Sequence, residues 1–357
     1  MKQVLIVCAH RPNRSPSQRY RFEQYLPYLQ AQGFEFTWSY LISEKDDEGF
    51  YAPGNYFRKA KVLLGAYVKR YRDLLRVKNF DIVFEQRESV FTGSVFFERG
   101  VVKKGVRLIY DFDDSIWMAD TSPANKKFEW LKRPKKIFEV FTLASSIIAG
   151  NEYLAKRAQE HNRYPTIIPT TIDTDVHMPL EKPASKKIRI GWSGSISTIK
   201  HFQLLRLVLG RIKMRYQNLV EVAVLADKHY SDPEIELVSL IWTAESEVEQ
   251  LNTFDIGVMP LPDDAWSQGK CGLKGLSYMA CGIPTIMSPV GVNKTIIKSG
   301  QNGILALDEI EWFDALSSLI ENAQLRRTLG ENGRETVIEK YSVEANKHKY
   351  LEVFRNA

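Results

Sequence analysis

Residues 254–291 read FDIGVMPLPDDAWSQGKCGLKGLSYMACGIPTIMSPVG. An apolar run over 254–261 leads into a loop holding Gly269, Lys270, Cys271 and Gly272. Leu273, Leu276, Met279 and Ala280 then recur at helical spacing, Gly282 and Pro284 stop the helix, and a second apolar run, PTIMSP, follows. Strand, loop, helix and strand in that order form a parallel crossover unit. The alternation continues on both sides, with IRIGWSG (188–194) and VEVAVLA (220–226) before it and GILAL (303–307) after it.

Ahead of a proline-rich stretch, 164–187, lies a second series of apolar runs: QVLIVCA, FEFTWSYL, DIVFEQ, VRLIYDF and SSIIAG. Between them are segments long enough for helices, such as SQRYRFEQYLPYLQAQG (17–33), read as one helix ending at Gly33. A chain of 357 residues exceeds what a single core usually organises. The expected fold is therefore α/β, with two Rossmann-like, doubly wound parallel-sheet domains at 1–180 and 181–340, joined near Pro179 to Ser185. A terminal helix over 341–357 completes the chain, with the first domain as one candidate place for it to pack. Ligands of such sheets bind beyond the carboxyl ends of the strands, so two facing domains imply an interdomain cleft lined by the loops after the strands.

Three cysteines, Cys8, Cys271 and Cys281, are an odd number without disulfide or metal spacing, and six histidines are scattered without a partner motif. A reducing, cytoplasmic location and no structural zinc are expected. The opening MKQVLIVCAH is too short for a signal h-region or a membrane span and reads as a first strand.

Charge is uneven: 28 of the 49 Lys and Arg, against 19 of the 43 Asp and Glu, precede residue 171. The densest patch, residues 58–78 (RKAKVLLGAYVKRYRDLLRVK), runs from Arg58 to Lys78 with Leu63, Leu64, Tyr67, Tyr71, Leu74 and Leu75 at helical spacing. Two readings stay open: a basic amphipathic helix on an anionic membrane surface, peripheral at its inner face, or a helix packed on its own domain with a solvated basic face. No nucleic-acid module accompanies the patch, so nucleic acid is not an expected partner.

After IRIGWSG come Gly194 at a tight turn, the hydroxyl residues Ser195, Ser197 and Thr198, and Lys200 entering a helix. Backbone N–H groups there and the lysine charge suit an anion, although an ordinary strand–helix turn reads the same way. The second loop is more informative. The N-terminus of the following helix aims its free amides at Gly269 to Gly272, and Lys270 and Lys274 add charge, which suits an anionic leaving group.

The order and spacing of these segments, with SGQNGILAL, SPSQRYRFEQYLPYLQAQG, IYDFDDSIW and GNEYLAKRAQEH followed by IIPTTID, resemble glycosyltransferase family 4, the retaining enzymes of the GT-B fold. The resemblance spans nearly the whole chain. It implies Lys200 as the diphosphate-binding lysine and Gly272 in the loop whose amides contact the donor. Gly194, Ser195, Gly269, Cys271, Leu273, Lys274 and Ser277 complete the expected donor side. Many relatives carry a glutamate pair spaced E-x7-E, one for the donor sugar and one for the ribose; Gly269 and Ser277 stand there. The family's arginine after the first glycine is Ser195. Lys270 is a candidate replacement for that charge, and Ser277 for one ribose hydrogen bond.

Asp111, Asp113 and Asp114 close the strand VRLIYDF. In the glycosyltransferase reading one of them orients or deprotonates the acceptor hydroxyl, while Trp117 offers a sugar-stacking surface and Arg14, Arg19 and Arg21 supply cations on the acceptor side. The same D-F-D-D-S is similar to the nucleophile motif of Mg-dependent phosphatases, with Asp111 attacking and Asp113 as acid, and to the metal-binding D-x-D of GT-A enzymes. Capping of the following turn is the plain structural reading.

The resemblance implies retention at the anomeric carbon, with Lys200, Lys270 and loop amides stabilising the departing diphosphate. A nucleotide-diphosphate sugar serves as co-substrate, with no further cofactor and no metal. The expected acceptor is a glycan or lipid-linked molecule of cell-envelope polysaccharide synthesis. A nucleotide-sugar-binding protein without transferase activity stays open because of the missing glutamates.

Overall fold

The computed structural model describes residues 1–52, 54–118, 129–161, 164–182 and 187–356. The chain divides into two compact units, Met1–Thr170 with Asn346–Ala357, and Thr171–Ala345. Residues 183–185 of the joint expected near Pro179 to Ser185 lie outside the described residues.

The first unit holds a six-stranded parallel sheet made of β1 (Lys2–His10), β2 (Phe34–Ile42), β3 (Ile82–Gln86), β4 (Arg107–Phe112), β5 (Ser146–Ala149) and β6 (Thr166–Ile167), in the order β2-β1-β3-β4-β5-β6. These strands read as near-continuous apolar runs because both faces of a parallel sheet are covered. The chain winds one way from β1 to β2 and the other way from β3 onward. The switch point therefore lies between β1 and β3, beside His10 and Gln86.

The helix expected over 17–33 is three pieces: helix Pro16–Arg21, a 3-10 turn at Glu23–Tyr25 and helix Leu26–Ala31. Pro27 has no N–H, and its ring would clash with the carbonyl of Glu23 in a continuous helix. The terminal helix Val343–Asn356 packs on this unit through Tyr350 on Tyr25, 4.3 Å between ring centroids, and through Phe354 on Phe34 and Phe84 at 5.4 and 5.6 Å. The first unit was one candidate partner for this helix, but the helix's own residues do not identify the receiving rings, which lie hundreds of residues away in sequence.

Glu85 of β3 and Glu98 of helix Phe96–Lys103 are both buried. Ser89 Oγ donates to Glu98 Oε1 at 2.7 Å. Neither Glu85 oxygen has a donor among the described residues, so the two carboxyls meet only if one carries the proton. Burial, reinforced by the Glu98 charge, pushes the Glu85 pKa well above the ordinary carboxylate range.

The second unit repeats the plan with β7 (Ile188–Gly194), β8 (Val220–Ala226), β9 (Val238–Ile241), β10 (Ile256–Met259), β11 (Thr285–Met287) and β12 (Ile304–Leu305), all parallel, in the order β12-β11-β10-β7-β8-β9. The switch point falls between β7 and β10. The loops after these two strands are those that the sequence marks for an anion. The strands β6 and β9, absent from the expectation, are short, and the half-exposed VSLI of β9 lacks a strong apolar signal.

Candidate active site

In the second unit, Gly194 ends β7, and a side chain there would collide: a Cβ would lie 2.5 Å from the Trp192 ring and 2.8 Å from Lys274 Cε. The missing side chain lets the Lys274 stem cross the end of the strand, and its ammonium lies 5.4 Å from the Trp192 ring centroid. The expected helix at Lys200 is a 3-10 turn, Ile196–Thr198, and a single helical turn, Ile199–Phe202. The amide of Ile196 is already committed to Asp227 at 2.7 Å, and Ser195 Oγ pairs with Ser197 Oγ at 2.7 Å. This loop therefore offers Lys200 rather than a helix terminus.

The second loop is ordered by its own bonds. Asp264 caps helix Ala265–Gln268 by accepting from Ser267 N at 2.7 Å, and the amides of Gly269 and Lys270 donate to Trp266 and Ser267 carbonyls at 3.1 Å each. The loop is thus a built corner, not the flexible segment its glycine content suggests. Lys270 Nζ lies 5.2 Å from the Trp266 ring centroid. Gly272 is left-handed (φ 73°) and opens helix Leu273–Ala280, whose first-turn N–H groups have no intrahelical acceptor. Cys271 is buried. Ser277, expected to meet a ribose, is buried instead and donates to Leu273 O at 3.0 Å; a short hydroxyl inside a helix reaches its own backbone first.

One residue that the sequence did not single out connects these pieces. His201 is buried, and its pKa is lowered to about 4, first by burial and then by Lys274, Lys200 and Lys270 in that order. Three lysines from two stretches, one after β7 and one after β10, act on one imidazole. The result is a local positive field around a neutral ring at the β7/β10 switch point, suited to receiving a polyanion.

In the first unit the acidic cluster separates into two parts. Asp111 is fully buried and accepts two bonds from Arg21, at 2.6 and 3.3 Å; Arg21, equally buried, also donates to Ile168 O. Burial opposes the Arg21 charge, and Asp111 more than offsets it, so the guanidinium pKa lies above its ordinary value. This corrects two expectations: with no exposed surface, Asp111 is neither an acceptor-side base nor a phosphoryl nucleophile, and Arg21 is not a cation offered to substrate.

Asp113 accepts from Ser17 Oγ at 2.8 and 2.9 Å and from Arg87 Nε at 2.7 Å, while Arg87 Nη2 reaches Asp114 at 2.5 Å. Gln86 Nε2 fixes Ser17 at 2.7 Å, and Tyr110 OH donates to the Arg87 carbonyl. Arg87 itself is left-handed (φ 60°), a conformation that turns the chain sharply where β3 ends. Burial raises the Asp113 pKa, but Arg87 and Arg21 together hold it below the ordinary value. A carboxylate of low basicity orients a hydroxyl better than it deprotonates one.

Arg14 is bound to Asp47 at 2.6 Å, and Arg11 shares the same carboxylate at 2.7 Å. Arg19 lies over Tyr20. Trp117 has Arg157 over its ring at 6.0 Å and Tyr153 beside it at 6.0 Å, so part of its face is already covered. His10, at the carboxyl end of β1, bonds Tyr51 OH through Nε2 at 3.1 Å, and burial followed by Arg14 lowers its pKa to about 4. His10, Gln86 and Arg87 were not singled out from the sequence; all three lie at strand ends beside the switch point, and that position is the signal that could have found them. Among the described residues no group of three His, Cys, Asp or Glu is placed to hold a metal ion.

Residues 187–322, within the second unit, match the family model of glycosyl transferases group 1. The whole chain superimposes on sucrose-phosphate synthase from Thermosynechococcus elongatus, with a TM-score of 0.71 at 14% identity over 99% of this chain and 98% of that one. Anabaena HepE, solved in complex with UDP and glucose, gives 0.71 at 12% identity over 100% of both chains. A glycosyltransferase from Rickettsia africae gives 0.69 at 12% identity over 99% and 98%. These likenesses show the GT-B fold, with its two Rossmann-like units. No curated protein sequence matches the chain.

Proposed function

We propose that this chain is a retaining glycosyltransferase that moves a hexosyl group from a nucleotide-diphosphate sugar to a glycan or lipid-linked acceptor, without a metal. The reading further places it in cell-envelope polysaccharide synthesis, drawing on a cytoplasmic donor pool and working at an anionic lipid surface. The observation that carries it is the placing of Lys200, and of Lys270 and Lys274, in the chain that follows the neighbouring strands β7 and β10 at the switch point of the second unit, with the Lys274 stem across the end of β7. UDP and UDP-glucose in Anabaena HepE support the donor class.

In this mechanism the bond between the anomeric carbon and the diphosphate oxygen breaks, and the acceptor oxygen bonds to the same face. The acceptor proton passes to the departing diphosphate oxygen. The three lysines and the first-turn amides of helix Leu273–Ala280 stabilise the charge that develops there, at about 3 kcal/mol for a well-placed donor. Asp113, anchored by Arg87 and Ser17, orients the acceptor hydroxyl. A second reading, a nucleotide-sugar-binding protein without transfer, is favoured by Gly269 and Ser277 where relatives carry glutamates.

Hydrolysis and binding of UDP-, GDP-, ADP- and dTDP-sugars without added metal separate the two. Lys200→Ala and Lys270→Ala are each expected to lower turnover about a hundredfold. Near-normal rates in both would remove the phosphate site, and tight binding with neither transfer nor hydrolysis would favour the binding protein.

A further inference from the structure

The helix Tyr56–Arg76 has an inner face that is fully accounted for. Val62, Ala66, Arg70 and Asp73 are buried. Arg70 donates to Ser89 O and Ser39 Oγ at 2.7 Å and to Cys8 O at 3.1 Å, and Tyr67 stacks on Phe96 at 5.2 Å. A helix packed in this way should turn a polar face outward. This one does not: Phe57, Leu64, Val68, Tyr71 and Leu75 are 88, 68, 44, 61 and 65% exposed. At 100° per residue they fall within a sector of about 60°, a straight apolar stripe about 27 Å long.

The charges flanking the stripe are of one sign. Lys61, Arg72 and Lys78 are exposed, and none has an ion-pair partner among the described residues. The one acid of the helix, Asp73, is buried and taken by Arg70 and Arg76 at 3.1 and 2.9 Å. A two-fold contact with a second copy would set two such cationic edges against each other. A negatively charged lipid surface is complementary to both features, because it takes the apolar side chains at its acyl boundary and the cations at its headgroups.

We propose that the outward stripe Phe57, Leu64, Val68, Tyr71 and Leu75, with Lys61, Arg72 and Lys78, docks the first unit flat on an anionic lipid bilayer. The proposal deepens the lipid-surface part of the function proposed above and rests on it. It does not depend on which sugar is transferred.

The test is sedimentation of the full chain with vesicles of phosphatidylglycerol and phosphatidylcholine, and of phosphatidylcholine alone, at about 0.05 and about 0.5 M salt. UDP titration on the same samples reads the donor site separately. Wild type is expected to bind the anionic vesicles at low salt and to release at high salt. Lys61→Gln with Arg72→Gln should weaken binding about 30-fold. Leu64→Glu with Leu75→Glu should weaken it at least as much, with unchanged circular dichroism and UDP affinity. Both exchanges are on exposed positions, so folding is retained.

Equal binding by the variants, or no binding by wild type at low salt, would overturn the docking. So would a dimer in light scattering that the Leu64→Glu, Leu75→Glu variant abolishes, since the occupant would then be a second copy. Vesicle binding without UDP binding would leave the docking standing and remove the donor reading.

Discussion

Replacing Asp111 by Asn decides whether this carboxylate is structural or catalytic. The exchange keeps the shape but leaves the Arg21 guanidinium charged, with 0% side-chain exposure, after losing the charge behind bonds of 2.6 and 3.3 Å. Removing one partner of a buried ion pair costs about 3–5 kcal/mol. Set against a total stability of about 5–15 kcal/mol, that is a large share of what holds the first unit together. With an m-value of about 2 kcal/mol/M in urea, the midpoint of that unit should fall by about 2 M. Urea titration followed by circular dichroism reads the shift. Arg21→Met with Asp111→Leu should recover most of it, because neither charge then needs neutralising, and should fall short by the Ile168 carbonyl left without its donor. Turnover per folded molecule should change little in either variant. An Asp111→Asn protein with an unchanged midpoint and turnover reduced about a hundredfold would refute the structural role and return Asp111 to the substrate.

Gly194→Ala would place its Cβ 2.5 Å from the rigid, buried Trp192 and 2.8 Å from the flexible Lys274. Lys274 should therefore yield, weakening UDP binding about tenfold by calorimetry at a stability cost of about 1–3 kcal/mol; undiminished affinity would show that Lys274 is not needed there. Glu85→Gln should grow more stable relative to wild type as pH rises. The folded-state pKa of Glu85 is raised, so its contribution is complete below the unfolded value of about 4.5 and is lost above it, whereas Gln keeps the donor to Glu98 at every pH. Thermal midpoints from about pH 5 to pH 8 measure this, and a difference that does not change with pH would sink it. Treatment with EDTA should leave donor turnover intact; a loss restored by Mg²⁺ would revive a metal-dependent route.

Much of the fold was readable along the chain because its signals are local. Strands such as QVLIVCA and VEVAVLA are apolar on both faces, a property of the segment itself, and their alternation with helical spacing implies parallel winding. The loop after β10 was legible for the same reason: Gly269 to Lys274 lie in one short stretch, and the helix that follows is marked by its own apolar positions. What failed was the reading of side-chain commitments. Asp111 and Asp113 are two residues apart, yet one is sealed against Arg21 and the other held by Ser17 and Arg87, because Asp111 lies inside β4 whereas Asp113 lies beyond its last residue, Phe112, where the chain has left the sheet and meets different neighbours.

Periodicity marked Leu63, Leu64, Tyr67, Tyr71, Leu74 and Leu75 as apolar positions of one helix, but only the packing against Phe96 and its neighbours shows that Tyr67 turns inward while Leu64, Tyr71 and Leu75 stay exposed. The three lysines meet at His201 for a similar reason. The sequence supplied Lys200 after β7 and Lys270 with Lys274 after β10, and the parallel pairing of those two strands brought their carboxyl ends together. Local chemistry is written residue by residue, whereas the partner of a buried charge, and the face of a helix left without one, depend on chain segments far apart in sequence that only folding makes neighbours.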